Sequence, residues 1–175
     1  MSTATLQQRF GDILPVSIAL PEDARKASVL DLNRALADSI VLRDLYKKHH
    51  WQVSGPTFRE LHLMFDDHQS SQGELIDLVA ERIMQLGGVC IAMGADAAAE
   101  TEIPHPPRDR ETAVAQLQRL LQAHEIVLSF ARQATRRASE RKDDGTNDLL
   151  VSDLIRLNEK QAWFVNQHLV RQTDG

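Results

Sequence analysis

Nine consecutive residues without a large apolar side chain interrupt the second helical stretch of this sequence: Asp66-Asp-His-Gln-Ser-Ser-Gln-Gly-Glu74. Before them stand Phe58, Leu61 and Phe65, and after them Leu75, Ile76, Val79, Ile83 and Leu86, all at helical spacing. A helix packed in a bundle normally keeps its apolar stripe throughout. Any fold this chain adopts must therefore meet the segment with something polar, or with another backbone.

The surrounding sequence reads as helix. Over 27–53 the apolar positions Leu32, Leu36, Ile40 and Leu45 recur with a helical period, and Gly55-Pro56 stops the run. Thr57-Phe-Arg-Glu60 has the form of a capping box that opens the second helix. That helix runs to Leu86 and ends at Gly87-Gly88. A connection over 87–109 follows, with Pro104, Pro106 and Pro107. Unstructured links of that length are uncommon in compact domains, and the alanine-rich stretch 92–100 suits a short extra helix. Asp109 stands where it would cap a third helix bearing Val114, Leu117, Leu121, Leu128 and Ala131. A turn over 142–145 leads to a fourth helix with Leu150, Leu154, Leu157 and Phe164.

Four long helices with no strand pattern and no internal repeat predict an all-α four-helix bundle. The long second connection suggests a crossover, as in ferritin-like folds. The 175 residues suffice for one domain with a sizeable core. The expected layout is an N-terminal tail over 1–26, the bundle over 27–171 and a C-terminal tail over 172–175.

Two pairs at i,i+4 spacing flank the polar segment: His62 with Asp66, and Asp77 with Glu81. Each pair shares a helix face. Imidazole with carboxylate suits iron or zinc, and each pair equally suits a solvated surface. His62 and Asp77 are fifteen residues apart, about 22 Å along a helix, so one straight helix cannot bring them to one ion. The Glu-x-x-His motif of a self-contained di-iron bundle occurs only at 102–105, interrupted by Pro104. Symmetry offers a solution. The pairs are centred on residues 64 and 79, with a midpoint between Ser71 and Gln72. Two copies packed antiparallel about a two-fold axis there would bring each first pair onto the partner's second pair. Ser70, Ser71 and Gly73 are small enough to let the backbones approach. His50, near the end of the first helix, is positioned to reach His62. His49 points about 100° away around that helix, toward the surface or a supporting position, and Trp51 reads as core packing.

With 42% apolar and 26% charged residues the composition is ordinary for a globular protein, and a net charge of −5 argues against a dedicated nucleic-acid binder. Cys90 stands alone and has no internal partner for a disulfide. No secretory signal is visible over 1–10 and no apolar stretch nears bilayer length, so a cytoplasmic protein is expected.

The stretch Tyr46-Lys-Lys-His-His-Trp-Gln-Val-Ser-Gly-Pro-Thr-Phe58 resembles the Dps family, the mini-ferritins also described as DNA-binding proteins from starved cells. Leu61-His-Leu-Met-Phe-Asp66, Ile76-Asp-Leu-Val-Ala-Glu-Arg82 and the Leu86-Gly-Gly88 ending share the likeness, which extends over 28–170. The resemblance implies a hollow dodecamer of ferritin-like subunits. It implies iron(II) oxidation at sites shared across dimer interfaces, preferentially by hydrogen peroxide with dioxygen as the other oxidant, and ferric mineral storage that protects the cell. The implied ligands are His50, His62 and Asp66 from one subunit with Asp77 and Glu81 from the other, zinc being a competitor. Trp51 takes the position of an oxidant quencher, with Trp51 and His49 the candidate supporting residues around the ligands. Acidic residues near the start of the fourth helix, Asp144 and Asp148 among Asp143 and Asp153, match the family's iron pores, although the helix dipole alone accounts for acid there.

DNA binding in this family often depends on a lysine-rich tail. Here Arg9, Arg25 and Lys26 are balanced by Asp12, Glu22 and Asp23, and the C-terminal tail ends Asp-Gly. The cluster Arg132, Arg136, Arg137, Arg141 and Lys142 is accompanied by Glu140, Asp143 and Asp144, as on a solvated helix end. DNA binding is therefore expected to be weak or absent. The alternatives are a nucleoid-associated DNA-protection protein with secondary iron chemistry, and a structural bundle holding zinc.

Overall fold

The computed structural model describes residues 5–170; the expected C-terminal tail over 172–175 lies outside them. Every regular element among these residues is helical: α1 Glu22–Gln52, α2 Phe58–Gln85, α3 Gly94–Glu100 and α4 Ala113–Glu140, then a final helix in three parts, α5 Asp144–Asp148, a π-helical segment Leu149–Ile155 and α6 Arg156–Gln167. Around the bundle, α2 packs against α1 and the final helix, and α4 packs against the same two. The consecutive helices α2 and α4 thus stand diagonally opposite, and the link between them crosses the bundle end. The chain has the ferritin-like four-helix fold with a short extra helix in that connection.

Side chains rather than chain length hold the crossover. Asn33 donates to the Val89 carbonyl at 3.0 Å and accepts from the Ile91 amide at 2.9 Å. Buried Asp38 accepts from the Thr101 hydroxyl at 2.6 Å and the Glu102 amide at 3.2 Å, and pairs with Arg34 at 3.0 Å. Backbone groups of the link thereby find the partners that a buried segment needs.

Several helix ends differ from the sequence reading. The first helix starts at Glu22, five residues early, because Arg25 is an inward residue despite its charge. It donates to the Leu14 and Leu86 carbonyls, both at 2.8 Å. No capping box forms at Thr57. With ψ of 20° its backbone is not extended, its hydroxyl makes no capping bond, and the Phe58 amide bonds the Gly55 carbonyl instead. Thr112, not Asp109, caps α4 by accepting from the Ala115 amide. The end of α2 is as expected: Gly87 has φ of +83°, and the amides of Gly87 and Gly88 reach the carbonyls of Met84 and Ile83 in a Schellman closure. Phe164 is exposed rather than core, because the inward line of α6 runs through Asn158, Gln161 and Val165.

That inward polar line answers the interruption in α2. His68 and Gln72 continue the buried stripe of Leu61, Phe65, Leu75 and Val79. They enter a hydrogen-bonded chain at the bundle centre with Tyr46 of α1, His124 of α4, and Asn158 and Gln161 of α6. The links are His68 Nδ1 to Tyr46 Oη at 3.1 Å, Tyr46 Oη to His124 Nε2 at 2.6 Å and His124 Nδ1 to Asn158 Oδ1 at 2.9 Å. Gln72 Nε2 donates to Asn158 Oδ1 at 3.1 Å and Gln161 Oε1 at 2.9 Å. Paired in this way, polar groups are tolerated in a core where single ones are costly.

Burial pushes the His124 imidazole down to about 3, and the same cause lowers His68 and His49 to about 4. Folded, all three stay neutral at pH 7, whereas the unfolded chain takes up protons near the ordinary value of about 6.5. The unfolded state therefore binds more protons in the window between, and stability falls as pH drops below about 6.5. Urea unfolding of the metal-free protein should lose about 1 kcal/mol per pH unit per buried histidine through this range, and His124→Leu should flatten the slope. A pH-independent midpoint from 7 to 5 would contradict this account.

Candidate metal centre

The last turn of α1 and the second turn of α2 approach closely enough for two histidines to clasp each other. His50 Nδ1 lies 2.9 Å from the His62 carbonyl, and His62 Nδ1 lies 2.9 Å from the His50 carbonyl. A carbonyl only accepts, so each neutral ring carries its proton on Nδ1. Each Nε2 is then left as a free lone pair. The rings stack with centroids 3.7 Å apart at 22°, and Phe58 flanks His62 at 5.1 Å.

Asp66, one turn beyond His62, lies beside this pair. Its Oδ1 is 2.8 Å from Lys47 Nζ and 3.8 Å from His50 Nδ1. The hydrogen bond from Lys47, with the charge of the same ammonium, holds the exposed Asp66 carboxyl below the usual range. The Lys47 ammonium also lies 5.9 Å from the centroid of the Trp51 ring.

Asp77 and Glu81 do not join these three. Helix α2 is continuous from Phe58 to Gln85, which keeps Asp77 about 22 Å and Glu81 about 28 Å along the axis from His62. Both are exposed on the outer face. Among the described residues of one chain, no three metal-ligating side chains converge closely enough to hold an ion. Ser70 is exposed between the two groups, and a Cβ added at Gly73 would meet nothing within 4 Å.

The two candidate supporting residues differ in burial from the surface position expected for His49 and the core position expected for Trp51. His49 is fully buried, against Phe65 at 6.3 Å, with no partner for either ring nitrogen. Trp51 is 71% exposed and is not core. The cause is register: Leu42, Leu45, Tyr46 and His49 form the inward stripe of α1, and Trp51 points about 180° from its centre. That i, i+3, i+4, i+7 pattern was readable. The buried polar chain was also missed, and its signal was the placement of His68 and Gln72 in line with the apolar stripe.

At the start of the final helix Asp144 and Asp148 are exposed. Asp143 is not free for such a role: it is buried, pairs with Arg82 at 2.6 Å and caps Thr146. The basic cluster is partly consumed within the chain. Arg137 and Arg141 bind Asp31 at 2.7 and 2.9 Å, and Arg132 binds Glu159 at 2.6 Å. No helix among the described residues is long and apolar enough to cross a membrane.

The family profile described as a ferritin-like domain matches residues 29–173. A solved structure of DpsC from Streptomyces coelicolor is 47% identical, covers 98% of this chain and 99% of that one, and superposes with a TM-score of 0.95. The DNA protection during starvation protein of Halobacterium salinarum is 33% identical over 90% of this chain and 87% of its own length. A Dps protein from Vibrio cholerae, described as a member of a broad superfamily of ferritin-like diiron-carboxylate proteins, is 27% identical with a TM-score of 0.83, covering 91% of this chain and 99% of that one.

The reciprocal histidine bonds fix the tautomers. Neutron diffraction on metal-free crystals at neutral pH should place deuterium on Nδ1 of both His50 and His62. Deuterium on Nε2 of either ring would remove that nitrogen as a ready ligand.

Proposed function

The chain belongs to the Dps branch of the ferritin-like family, and from that footing we propose that it oxidises iron(II) at sites shared by two copies and stores the ferric product. The observation that carries the proposal is the ligand set split between the two ends of α2, with His50 of α1 beside the first. His50, His62 and Asp66 form one half-site, Asp77 and Glu81 the other, and no single chain joins them.

Reflection about a point between Ser71 and Gln72 exchanges His62 with Glu81, Asp66 with Asp77, and Ser70 with Gly73. The open space at Gly73 supports close approach of a second backbone there. Two antiparallel copies of α2 would then make two complete sites per dimer, and six such dimers the closed dodecamer.

Iron enters these sites as substrate. The free Nε2 atoms of His50 and His62 supply the nitrogen donors, and a metal ion competes with protons for such ligands. The carboxylates favour the harder ferric ion and drive the loss of an electron. Two ferrous ions each give one electron to hydrogen peroxide, whose O–O bond breaks to give two hydroxides, so no hydroxyl radical leaves. Dioxygen is the slower oxidant, and zinc suits the same donors and competes. Exposed Trp51 beside Lys47 takes up stray oxidising equivalents, and Asp144 and Asp148 admit cations toward the mineral inside the shell. The working compartment is the cytoplasm.

The name of the Halobacterium relative raises a DNA-protection reading. The net charge of −5 and the internal pairing of Arg132, Arg137 and Arg141 oppose it here. Counterion release needs several free cations at phosphates. Duplex DNA should give no gel shift at micromolar protein and about 150 mM salt; tight, sequence-independent binding would favour the second reading.

The shared site has a test that needs no structure. His62→Ala and Asp77→Ala homodimers should each lose rapid peroxide-driven iron oxidation. Unfolded together and reassembled, they form mixed dimers in which one site receives both intact halves, restoring roughly a quarter of the sites. Sites built within one chain would all keep a lesion. An inactive mixture, beside wild-type protein that recovers in the same protocol, rejects the shared site. Gly73→Trp should block assembly and the oxidation together.

A further inference from the structure

Tyr46 is the only tyrosine of the chain, and it is fully buried at the bundle centre. It stands one turn before His50 on α1, about 6 Å along the axis. Its ring lies 6.0 Å from that of Phe65, the neighbour of Asp66 in sequence. Its oxygen makes two hydrogen bonds, and their directions can be derived.

Asn158 donates through Nδ2 to the Leu154 carbonyl at 2.8 Å. That bond turns its Oδ1 toward His124 Nδ1, so Nδ1 must carry a proton. Burial keeps the ring neutral, and Nε2 is then a bare lone pair. The 2.6 Å contact is therefore Tyr46 O–H donating to His124 Nε2. The second contact, 3.1 Å from His68 Nδ1, is left as a donor to the phenol oxygen. Burial also pushes the Tyr46 hydroxyl well above its usual range, so the phenol cannot ionise alone. A buried phenol with a base at its proton and a donor at its oxygen is set to lose an electron and a proton together.

We propose that Tyr46 is a one-electron relay of iron oxidation, with His124 as its proton acceptor, serving encounters in which hydrogen peroxide meets a single ferrous ion. The inference rests on the ferroxidase reading above. One ferrous ion gives peroxide one electron; the O–O bond breaks, leaving hydroxide and an oxidant at the level of the hydroxyl radical. Tyr46 supplies the second electron, which makes the second hydroxide. Its O–H bond breaks as an N–H bond forms at His124 Nε2, leaving a neutral phenoxyl radical and an imidazolium. A second ferrous ion returns an electron, and the proton moves back from His124. The sum is two ferrous ions and one peroxide to two ferric ions and two hydroxides, with Tyr46 and His124 restored.

The structural alternative is that the network only fixes helix packing, and a radical signature separates the two. Assembled, metal-free protein is loaded anaerobically with one ferrous ion per proposed site, mixed with one equivalent of peroxide and freeze-quenched for electron paramagnetic resonance, while ferric absorbance is followed in parallel. The expected signal is a tyrosyl radical that narrows in protein made with ring-deuterated tyrosine and decays when a second ferrous equivalent is added. Tyr46→Phe should abolish it and raise spin-trapped hydroxyl radical several-fold. His124→Leu should lower the yield although Tyr46 remains. Normal ferric absorbance with no tyrosyl signal, or with a tryptophanyl signal alone, overturns the relay and leaves the ferroxidase reading intact. Absence of peroxide-driven absorbance in wild type overturns both. Should Tyr46→Phe fail to assemble, labelled wild type decides alone, because no other tyrosine can give the signal.

Discussion

Two backbone carbonyls, those of Leu154 and His68, set the direction of every hydrogen bond at the centre of this bundle. Leu154 takes the amide hydrogens of Asn158, and His68 takes those of Gln161 at 3.2 Å. Both amide oxygens then face Gln72 and His124, which must donate. Once His124 donates through Nδ1, its Nε2 accepts from Tyr46, and Tyr46 accepts from His68. Four helices are registered against one another by a chain with a single consistent polarity. Sliding any helix by one residue would leave several buried groups unpaired, at a cost of about 1–3 kcal/mol each. One acceptor, Gln72 Oε1, already lacks a protein partner.

Helix α2 works on two faces because its middle is polar on both. Inward, His68 and Gln72 join the central chain. Outward, His62, Asp66, Ser70, Gly73, Asp77 and Glu81 follow one stripe within about 100° of the helix circumference. An apolar residue at 68 or 72 would break the network, and one at 70 or 73 would occupy the space that a second backbone needs on the proposed reading. The composition of nine residues thus answers two neighbours, and the antiparallel pairing of α2 accounts for only one of them.

The helices and the crossover were legible because they follow from apolar period, glycine closure and link length. The Gly87-Gly88 closure was legible as well, since only a left-handed residue ends a helix that way cheaply. Positions where polarity and burial disagree were not. Arg25 looks like a tail residue until the Leu14 and Leu86 carbonyls are placed beside it. His49 reads as surface, and Trp51 as core, when each is judged by residue type instead of by its angle around α1. The proposed half-sites stand in the sequence as i,i+4 pairs, while the clasp between His50 and His62 depends on how the 53–57 turn brings two helix ends together, which spacing alone does not report.

On the proposed reading, the clasp bears on why a divided site makes physical sense. Each histidine is oriented by the backbone of the other helix, so the imidazole half is preorganised before any ion arrives. The carboxylate half needs no such support, because Asp77 and Glu81 project from a rigid helix. In a lone chain Asp66 is engaged by Lys47 and the two imidazoles face water with too few partners to strip a hydrated ferrous ion. Bringing the second pair supplies two negative charges at once, which changes both the number of ligands and the field that favours the ferric state. On the proposed reading, affinity and oxidising chemistry thus arise together when two copies pair, and a lone chain has neither.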